Sequence, residues 1–317
     1  MLRDLLPPLM WNQLRRAKVL MNGGRSIYKP HIYSSPDDLP LIQEDVWASE
    51  NWIESQSVFS ATKEFGPGAG LNDDGVLNIN ASALLLASLI SLQKGEPLKK
   101  AVRILDVGAG LSGGFYLAMQ KRLSSMAVNL QYAVVDGRLN CDLGSRFFAS
   151  CSNIEFFDFE SVGLEAAAKH LGKIDACNIS STLQYIIDWR GALSSIVRVH
   201  PGAIIISRTP FADHAETEAY GIQNVSTAKG YCGRAKVVMI PGKMLVQELD
   251  RHGYDCLAEH GTAGDASWYW QAGCLCLVAG VDHGAAPRQA RRSRQRDVRA
   301  GAFRLAEDVC GGSLELG

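Results

Sequence analysis

The sequence predicts an α/β protein built around an open, mainly parallel β-sheet with helices on its faces. Three observations predict this class. From Val102 onward, short apolar runs alternate with stretches of helical periodicity, which is typical of repeated strand–helix–strand units. Five such runs precede two final strands that are close enough in sequence to pair antiparallel. The composition, with 47% hydrophobic and 21% charged residues, is that of a globular protein.

Residues 1–100 are predicted to form a helical N-terminal extension, or cap. Apolar residues recur at helical spacing over residues 2–21, and further helices are predicted over residues 37–56 and 81–92. The segment 81–92 is the longest apolar run, and it is too short to span a bilayer, which takes roughly 20 apolar residues. We therefore expect a buried helix there.

Residues 101–281 are predicted to hold the sheet in one catalytic domain. Its five parallel strands are expected at Val102–Val107, Leu130–Val135, Ile154–Phe157, Ile174–Ile179 and Ala203–Ser207. Helices are expected at about residues 113–125, 140–150, 161–171 and 188–199. A long connection over residues 209–238 and a helix over 242–252 precede the antiparallel pair, Tyr254–Glu259 and Cys274–Ala279.

Charge is balanced over most of the chain. The formal net charge of −1 gives no field that would attract nucleic acid or an anionic membrane, so nucleic acid is an unexpected partner. Residues 282–317 differ, because they hold seven arginines, six of them in Ala286–Arg299, where almost no residue is apolar, and this predicts a disordered tail. A nucleic-acid-binding arm and a merely solvated extension are both open interpretations of this tail.

Targeting and redox signals indicate a cytoplasmic location. The start, Met1 to Trp11, carries Asp4 and two prolines where a secretory signal would have an apolar run. The eight cysteines include no C-x-x-C pair, which favours reduced thiols over zinc or disulfide chemistry. We expect no membrane span and assign no metal ligand.

The strongest chemical signal is a glycine-rich loop directly after the first predicted strand. Gly108, Gly110 and Gly113 satisfy G-x-G-x-x-G, the dinucleotide fingerprint. Taken alone, this motif predicts an NAD-dependent oxidoreductase. Asp106 favours another cofactor, because a carboxylate at the strand end would repel a pyrophosphate but attract the ammonium and sulfonium groups of S-adenosylmethionine.

Two further acidic residues follow neighbouring strands. Asp136 ends the second predicted strand, where its carboxylate could accept hydrogen bonds from both ribose hydroxyls of either cofactor. Asp158 follows the third strand, where an acid can contact an adenine amino group, although a solvated loop acid is an equal alternative. Asp106 itself has the competing interpretation of a capping or turn acid.

At these residues the chain resembles the class I S-adenosylmethionine-dependent methyltransferases, and more narrowly the LIC12133-type methyltransferases. The resemblance rests on the glycine loop Asp106–Tyr116, the Ser-Ser-Thr-Leu-Gln-Tyr-Ile segment Ser180–Ile186, and Arg-Thr-Pro-Phe at Arg208–Phe211. It covers residues 102 to about 260. The chain departs from the narrower family at Tyr231–Gly233, which reads Tyr-Cys-Gly where such proteins tend to have Tyr-Pro-x-Trp.

The resemblance implies a Rossmann-like class I methyltransferase sheet that binds S-adenosyl-L-methionine. It places the glycine loop at the methionine end of the cofactor, Asp136 at the ribose, Asp158 near the adenine, and two serines close to the sulfonium. The implied cofactor-binding residues are Asp106, Gly108, Ala109, Gly110, Gly113, Asp136, Asp158, Ser180 and Ser181.

The acceptor is expected on the same edge of the sheet, with the hydroxyl of a small molecule or sugar as the methylated group. His214 is a candidate base for this hydroxyl, or a surface histidine. Arg208 is a candidate ligand for a substrate carboxylate or phosphate, or part of a structural ion pair. Tyr185, Gln184 and Gln223 are candidates for orienting the acceptor, although Tyr185 has packing against the sheet as its alternative role.

Two other functional classes stay open. The glycine fingerprint supports the oxidoreductase, and the arginine-rich tail supports a non-catalytic nucleotide- or RNA-binding protein. An aromatic cluster, Trp268–Trp270, lies between the last two predicted strands. It predicts a stacking platform, a contact in a homo-oligomer, or simple packing on its own sheet.

Overall fold

The computed structural model describes residues 32–42, 46–49, 52, 101–110, 116, 119–120, 123–124, 127–159, 163–211, 217–227, 230–261 and 271–279. Several predictions lie outside the described residues: the helices over 2–21 and 81–92, the Trp268–Trp270 cluster, and the tail from 282 onward.

Nine strands are described, and seven of them form one sheet. They are β1 (Ala101–Val107), β2 (Asn129–Asp136), β3 (Ile154–Asp158), β4 (Ala176–Ser180), β5 (Ala203–Phe211), β6 (Ala219–Thr227), β7 (Gly230–Met239), β8 (Tyr254–Gly261) and β9 (Gln271–Ala279). The large sheet has the order β3-β2-β1-β4-β5-β9-β8. Its first five strands are parallel, and β9 is antiparallel to both β5 and β8. The predicted class I methyltransferase sheet is therefore confirmed.

Helices cover both faces of this sheet, which explains why its strands are nearly continuous apolar runs. The α-helices with described bounds are α1 (Arg138–Phe147), α2 (Gly163–Leu171), α3 (Trp189–Arg198) and α4 (Gly242–Arg251). Ile104 of β1 belongs to a buried cluster with Met119, from the helical stretch after the glycine loop. Leu105 points to the opposite face, where it shares a larger cluster with Trp189 and Leu193 of α3.

A two-stranded antiparallel sheet, β6 with β7, replaces the long irregular connection predicted over residues 209–238. The hairpin escaped prediction because its apolar period is broken. Gly221 interrupts the alternation, and a register shift between Val225 and Ser226 changes which side chains face inward. Buried Val225 and Ala235 pack with Val46, from the N-terminal part of the chain.

The helix predicted over residues 37–56 does not begin at residue 37, although Trp52 is in an α-helical conformation. Two 3-10 helices are present, at Pro36–Asp38 and Val46–Ala48. Pro40 explains the difference, because proline has no backbone N–H and its ring clashes with a preceding helical turn.

The same N-terminal segment is held against the β6–β7 hairpin. Backbone hydrogen bonds of 2.8 and 3.0 Å join Tyr33 and Tyr220 in both directions. At Gly233 of β7, a Cβ atom would lie 3.2 Å from the side chain of Val46, so the two segments touch closely. The hairpin thus connects the N-terminal part of the chain to the large sheet.

Candidate functional site

The glycine turn follows β1 at the carboxyl edge of the sheet, where open α/β sheets bind ligands. Gly108 and Gly110 have φ angles of 70° and 59°, which glycine adopts without steric cost. A Cβ atom on Gly108 would lie 2.2 Å from Cγ2 of Thr182, so only glycine fits against this side chain. The Thr182 hydroxyl donates a 3.0 Å hydrogen bond to the Gly108 carbonyl. The turn is therefore fixed by the loop that follows β4.

Asp136 joins the glycine turn to the end of β2. Its Oδ2 accepts a 2.7 Å hydrogen bond from the Gly110 N–H. Its Oδ1 accepts from the Gly137 N–H at 2.7 Å and from Asn140 Nδ2 at 2.8 Å. No described atom lies within 4 Å of the position that a Cβ on Gly110 would occupy. The turn thus presents open space beside a carboxylate, as a nucleotide-binding site requires.

Asp106 lies beneath this edge and is only 2% exposed. Its carboxylate accepts a short hydrogen bond from the Tyr132 hydroxyl and one of 2.8 Å from Asn178 Nδ2. Burial raises the pKa of Asp106 to about 6, with a further rise from the charge of Asp136; the two hydrogen bonds oppose this shift. A small cavity lined by Asp106, Gly110 and Tyr132 lies at this point.

Three buried side-chain oxygens have no hydrogen-bond partner among the described residues: Asn140 Oδ1, Asn178 Oδ1 and Gln184 Oε1. Buried polar groups are normally paired, so each such atom requires an explanation. All three lie near the carboxyl edge of the parallel strands. Asn140 is in the first turn of α1, Asn178 is near the end of β4, and Gln184 is in the 3-10 helix Leu183–Tyr185. Hydrogen-bond donors on bound molecules would satisfy them.

Serine residues form the carboxyl ends of β4 and β5. The Ser207 hydroxyl donates to Ser180 Oγ at 3.0 Å, and Gln184 Nε2 donates to Ser181 Oγ at 3.2 Å. Ser181 has φ = 55°, in the left-handed region that serine seldom adopts. Backbone strain of this kind concentrates at functional sites.

A hydrogen bond joins Tyr185, in the segment that follows β4, to Gln223 of the β6–β7 hairpin. The Tyr185 hydroxyl donates to Gln223 Oε1 at 3.1 Å. The Tyr185 ring contacts Trp47, with ring centroids 4.5 Å apart, and Trp47 contacts Trp52 at 4.8 Å. The N-terminal segment therefore contributes side chains to the neighbourhood of the predicted acceptor residues.

Most of the predicted site residues lie along one edge of the sheet. Asp106, Gly108, Ala109 and Gly110 follow β1 or end it, Asp136 and Asp158 are register partners at the ends of β2 and β3, and Ser180, Ser181, Gln184, Tyr185 and Gln223 are grouped as described above. Arg208 lies in β5 at a register shift between Ser207 and Thr209. Gly113 and His214 lie outside the described residues. The assigned roles of all these residues stay predictions.

Several residues of this edge were not predicted from the sequence. They are Trp47, Trp52, Tyr132, Asn140, Asn178 and Thr182. A signal for Asn178 does exist, since it is a polar residue within an apolar strand, and the parallel register places it opposite Asp106. Trp47, Tyr132 and Thr182 make contacts with residues far apart in sequence, which spacing alone does not reveal. Asn140 lies only four residues after Asp136, a spacing that no known motif marks.

Within the described residues, no three His, Cys, Asp or Glu side chains are grouped to bind a metal ion. Cys141, Cys151 and Cys177 are thiols outside any disulfide. No helix in the described part of the chain is long and apolar enough to cross a membrane.

Comparisons with known proteins give structural likenesses only. No protein-family model and no curated protein matches the chain. An S-adenosylmethionine-dependent methyltransferase from Clostridium acetobutylicum shares 11% identity, with 71% of this chain and 99% of that chain covered and a TM-score of 0.43. The magnesium protoporphyrin IX methyltransferase of Synechocystis PCC 6803 also shares 11%, over 76% and 100%, with a TM-score of 0.43.

A third similar structure is the 1,6-didemethyltoxoflavin-N1-methyltransferase of Burkholderia thailandensis, with bound S-adenosylhomocysteine. It shares 14% identity over 80% of this chain and 97% of that chain, with a TM-score of 0.42. These likenesses concern the fold, and the functional proposal below rests on the residues of the site.

Proposed function

We propose that this protein is an S-adenosylmethionine-dependent methyltransferase of class I, and we retain the narrower LIC12133-type family as part of the proposal. The observation that carries it is the link between Asp136 and the glycine turn. A carboxylate that holds Gly110 by its N–H, beside open space and the unpaired Asn140 Oδ1, offers acceptors for the two hydroxyls of a ribose.

The remaining donors and acceptors fit the other parts of this cofactor. The backbone of Gly108, Ala109, Gly110 and Gly113 approaches the methionine end. There Asn178 Oδ1 would accept a hydrogen bond from the ammonium, and Asp106 orients this amide by accepting from Nδ2. Direct contact between Asp106 and the ammonium stays a prediction.

The other proposed cofactor contacts lie to either side of the turn. We assign Asp158 to the adenine amino group, and Ser180 and Ser181 to the region of the sulfonium. When bound, S-adenosylmethionine supplies a methyl group on a positively charged sulfur.

The proposed reaction is O-methylation of a small molecule or sugar. The residues on the acceptor side position a hydroxyl oxygen in line with the methyl carbon and exclude water. Gln184, Tyr185 and Gln223 would orient the acceptor, Arg208 would bind an anionic group on it, and His214 would take the hydroxyl proton while the bound cofactor supplies the methyl group.

The sheet supports this function over NAD-dependent oxidation. The dinucleotide fold places a sixth parallel strand beside the fifth. In this protein β9 occupies that place and is antiparallel to β5. The glycine fingerprint is shared by both cofactor classes, whereas the strand order is not.

We further propose that the chain comprises a cap at residues 1–100, a methyltransferase domain at 101–281 and a tail at 282–317. The protein is proposed to be cytoplasmic and able to form homo-oligomers. The hydrogen bonds between the N-terminal segment and β6 support the contact of the cap with the acceptor side.

Isothermal titration calorimetry with S-adenosylhomocysteine and with NAD tests the proposal. We expect S-adenosylhomocysteine to bind and NAD not to bind. Asp136→Asn should weaken S-adenosylhomocysteine binding about tenfold or more, because it replaces one acceptor oxygen with a donor. Asp142→Asn, at an exposed position of helix α1, which follows Asp136 in the chain, is the matched control and should bind normally. Binding of NAD alone would establish the oxidoreductase instead.

A further inference from the structure

The segment Ser181–Tyr185, here named the β4 loop, connects the glycine turn with a group of aromatic rings. At one end, Thr182 donates a hydrogen bond to the Gly108 carbonyl. At the other end, the Tyr185 ring packs against Trp47. Gln184 lies between these two contacts.

Gln184 is buried, with 4% of its surface exposed, and its amide is only half satisfied. Nε2 donates to Ser181 Oγ at 3.2 Å, while Oε1 has no partner among the described residues. A purely structural residue at this position would be expected to be apolar, because an unpaired buried carbonyl destabilises the fold. The strained backbone of Ser181, which holds the Gln184 amide, costs further stability. The unpaired carbonyl and the strained backbone that positions it are both explained if Gln184 Oε1 accepts a hydrogen bond from a donor on a ligand.

The rings of Trp47, Trp52 and Tyr185, here named the aromatic corner, are joined to Gln184 through Tyr185, which is the next residue in the chain. The planes of Trp47 and Trp52 meet at 84°, and those of Trp47 and Tyr185 at 60°. All three side chains are half-buried, above the buried Val46, Val225 and Ala235. Rings at steep angles to one another present both a ring face and a ring edge to a planar ligand. Aromatic pairs prefer such offset-stacked and edge-to-face contacts.

We propose that the methyl acceptor is a planar aromatic compound with an N–H or O–H group, that Gln184 Oε1 accepts a hydrogen bond from this group, and that the aromatic corner contacts the ring. This inference rests on the proposed methyltransferase function and narrows its substrate class. It selects aromatic small molecules over sugars.

Matched probes test this inference on the full chain saturated with S-adenosylhomocysteine. The probes are 2-naphthol, 2-methoxynaphthalene, which has the same ring without a donor, and methyl β-glucoside, which has donors without a flat ring. Their affinities are measured by ligand-observed NMR titration. We expect 2-naphthol to bind about tenfold more tightly than its methyl ether, because only the naphthol satisfies Gln184 Oε1. The glucoside should bind more weakly than either.

Gln184→Met preserves the volume of the side chain and removes the carbonyl. It should abolish the difference between the two naphthalene probes and leave the affinity for the methyl ether unchanged. Its Tm should equal or exceed that of the parent, since an unpaired buried oxygen is lost. Gln131→Met, at an exposed glutamine of β2, is the control and should retain the difference. Trp47→Leu should weaken both naphthalene probes alike.

The outcomes separate this inference from the proposed function. If the parent protein binds S-adenosylhomocysteine but does not distinguish the two naphthalene probes, or prefers the glucoside, the inference is wrong and the methyltransferase function stands. Retained discrimination in Gln184→Met with a lowered Tm would show that Gln184 is only structural. If S-adenosylhomocysteine does not bind at all, the proposed function fails first. If Gln184→Met does not fold, the affinities of the parent protein for the three probes still test the inference, because equal binding of the two naphthalene probes would contradict it.

Discussion

Gly108 and Gly110 have similar backbone conformations but different surroundings. Both φ angles are positive, so any other residue strains the backbone. Only Gly108 also faces the Thr182 side chain, which leaves no room for a Cβ atom. The two positions therefore separate the effect of conformational strain from that of close packing.

Gly110→Ala should lower the free energy of unfolding by about 1 kcal/mol through backbone strain alone. Gly108→Ala should lower it by roughly 1–3 kcal/mol more, because the Thr182 side chain and its hydrogen bond must move. Urea denaturation of the two variants measures this difference. Equal losses would mean that Thr182 moves aside without cost.

Asp106 makes the stability of the protein depend on pH in an unusual direction. Its pKa is about 6 in the folded state, above the ordinary value of 3.8, because the ionised carboxylate is buried. Between these two pH values the folded state binds more protons than the unfolded state. The contribution of Asp106 to stability is therefore present below pH 3.8 and is lost as the pH rises towards 6.

Asp106→Asn removes this titration. Between pH 4 and pH 7, the free energy of unfolding of the parent should fall relative to that of the variant by up to about 3 kcal/mol. Most of the change should occur below pH 6. Denaturant titrations of both proteins at several pH values measure it. If the free energy of unfolding of the parent instead rises with pH relative to that of Asp106→Asn, the hydrogen bonds from Tyr132 and Asn178 have a larger effect on the pKa of Asp106 than burial has.

The sequence predicted the residues of the site that belong to a local motif. Gly108, Gly110 and Asp106 lie within five residues, so their spacing carries the information. Thr182 was missed because its significance depends on a contact with Gly108 that only the folded sheet creates. Asn140 was missed because its spacing of four residues from Asp136 belongs to no known motif.

At the scale of elements, Glu218 attaches the hairpin to the large domain. It lies directly before β6 and accepts hydrogen bonds from Trp189 Nε1 of α3 at 3.0 Å, from the Arg190 guanidinium and from the Tyr220 hydroxyl. Burial alone would raise the pKa of Glu218. The three hydrogen bonds and the charge of Arg190 outweigh burial and lower it. Stability from Glu218 is therefore present above its ordinary pKa and is lost in acid.

Glu218→Gln should destabilise the protein by roughly 1–3 kcal/mol, since it weakens charge-assisted hydrogen bonds to Arg190. Amide hydrogen exchange should accelerate in β6 and β7 more than in β1 and β4, because the hairpin loses its attachment. Glu248→Gln, which removes an exposed ion pair with Arg251, is the control and should have a smaller effect. Uniform acceleration over all strands would contradict a local role for Glu218.

The large sheet was easier to predict than the hairpin for a physical reason. Strands such as β1 and β4 are buried on both faces, so most of their residues are apolar and the strands are visible in the sequence. The strands β6 and β7 bury only part of their surface and shift register, so no regular period marks them. The helix expected over residues 37–56 does not begin at residue 37, because Pro40 has no backbone N–H and its ring clashes with a preceding helical turn.

For the whole molecule, strand order decides where the site lies. The chain runs outward from β1 to β2 and β3, then returns to place β4 on the other side of β1. A crevice opens at such a reversal. Gly108 and Thr182 lie on its two sides and Asp136 lies beside it, which explains why residues from three separate strands meet at one turn.

The position of β9 also sets the order in which the sheet can be completed. It is the last described strand, yet it lies between β5 and β8. A ribosome makes β8 before β9, so β8 cannot join the sheet until the chain has reached Ala279. During synthesis the edge of β5 stays open to pairing with other chains, and nascent proteins with such edges are prone to aggregate. The sheet can therefore be completed only after β9, an interior strand, has been synthesised.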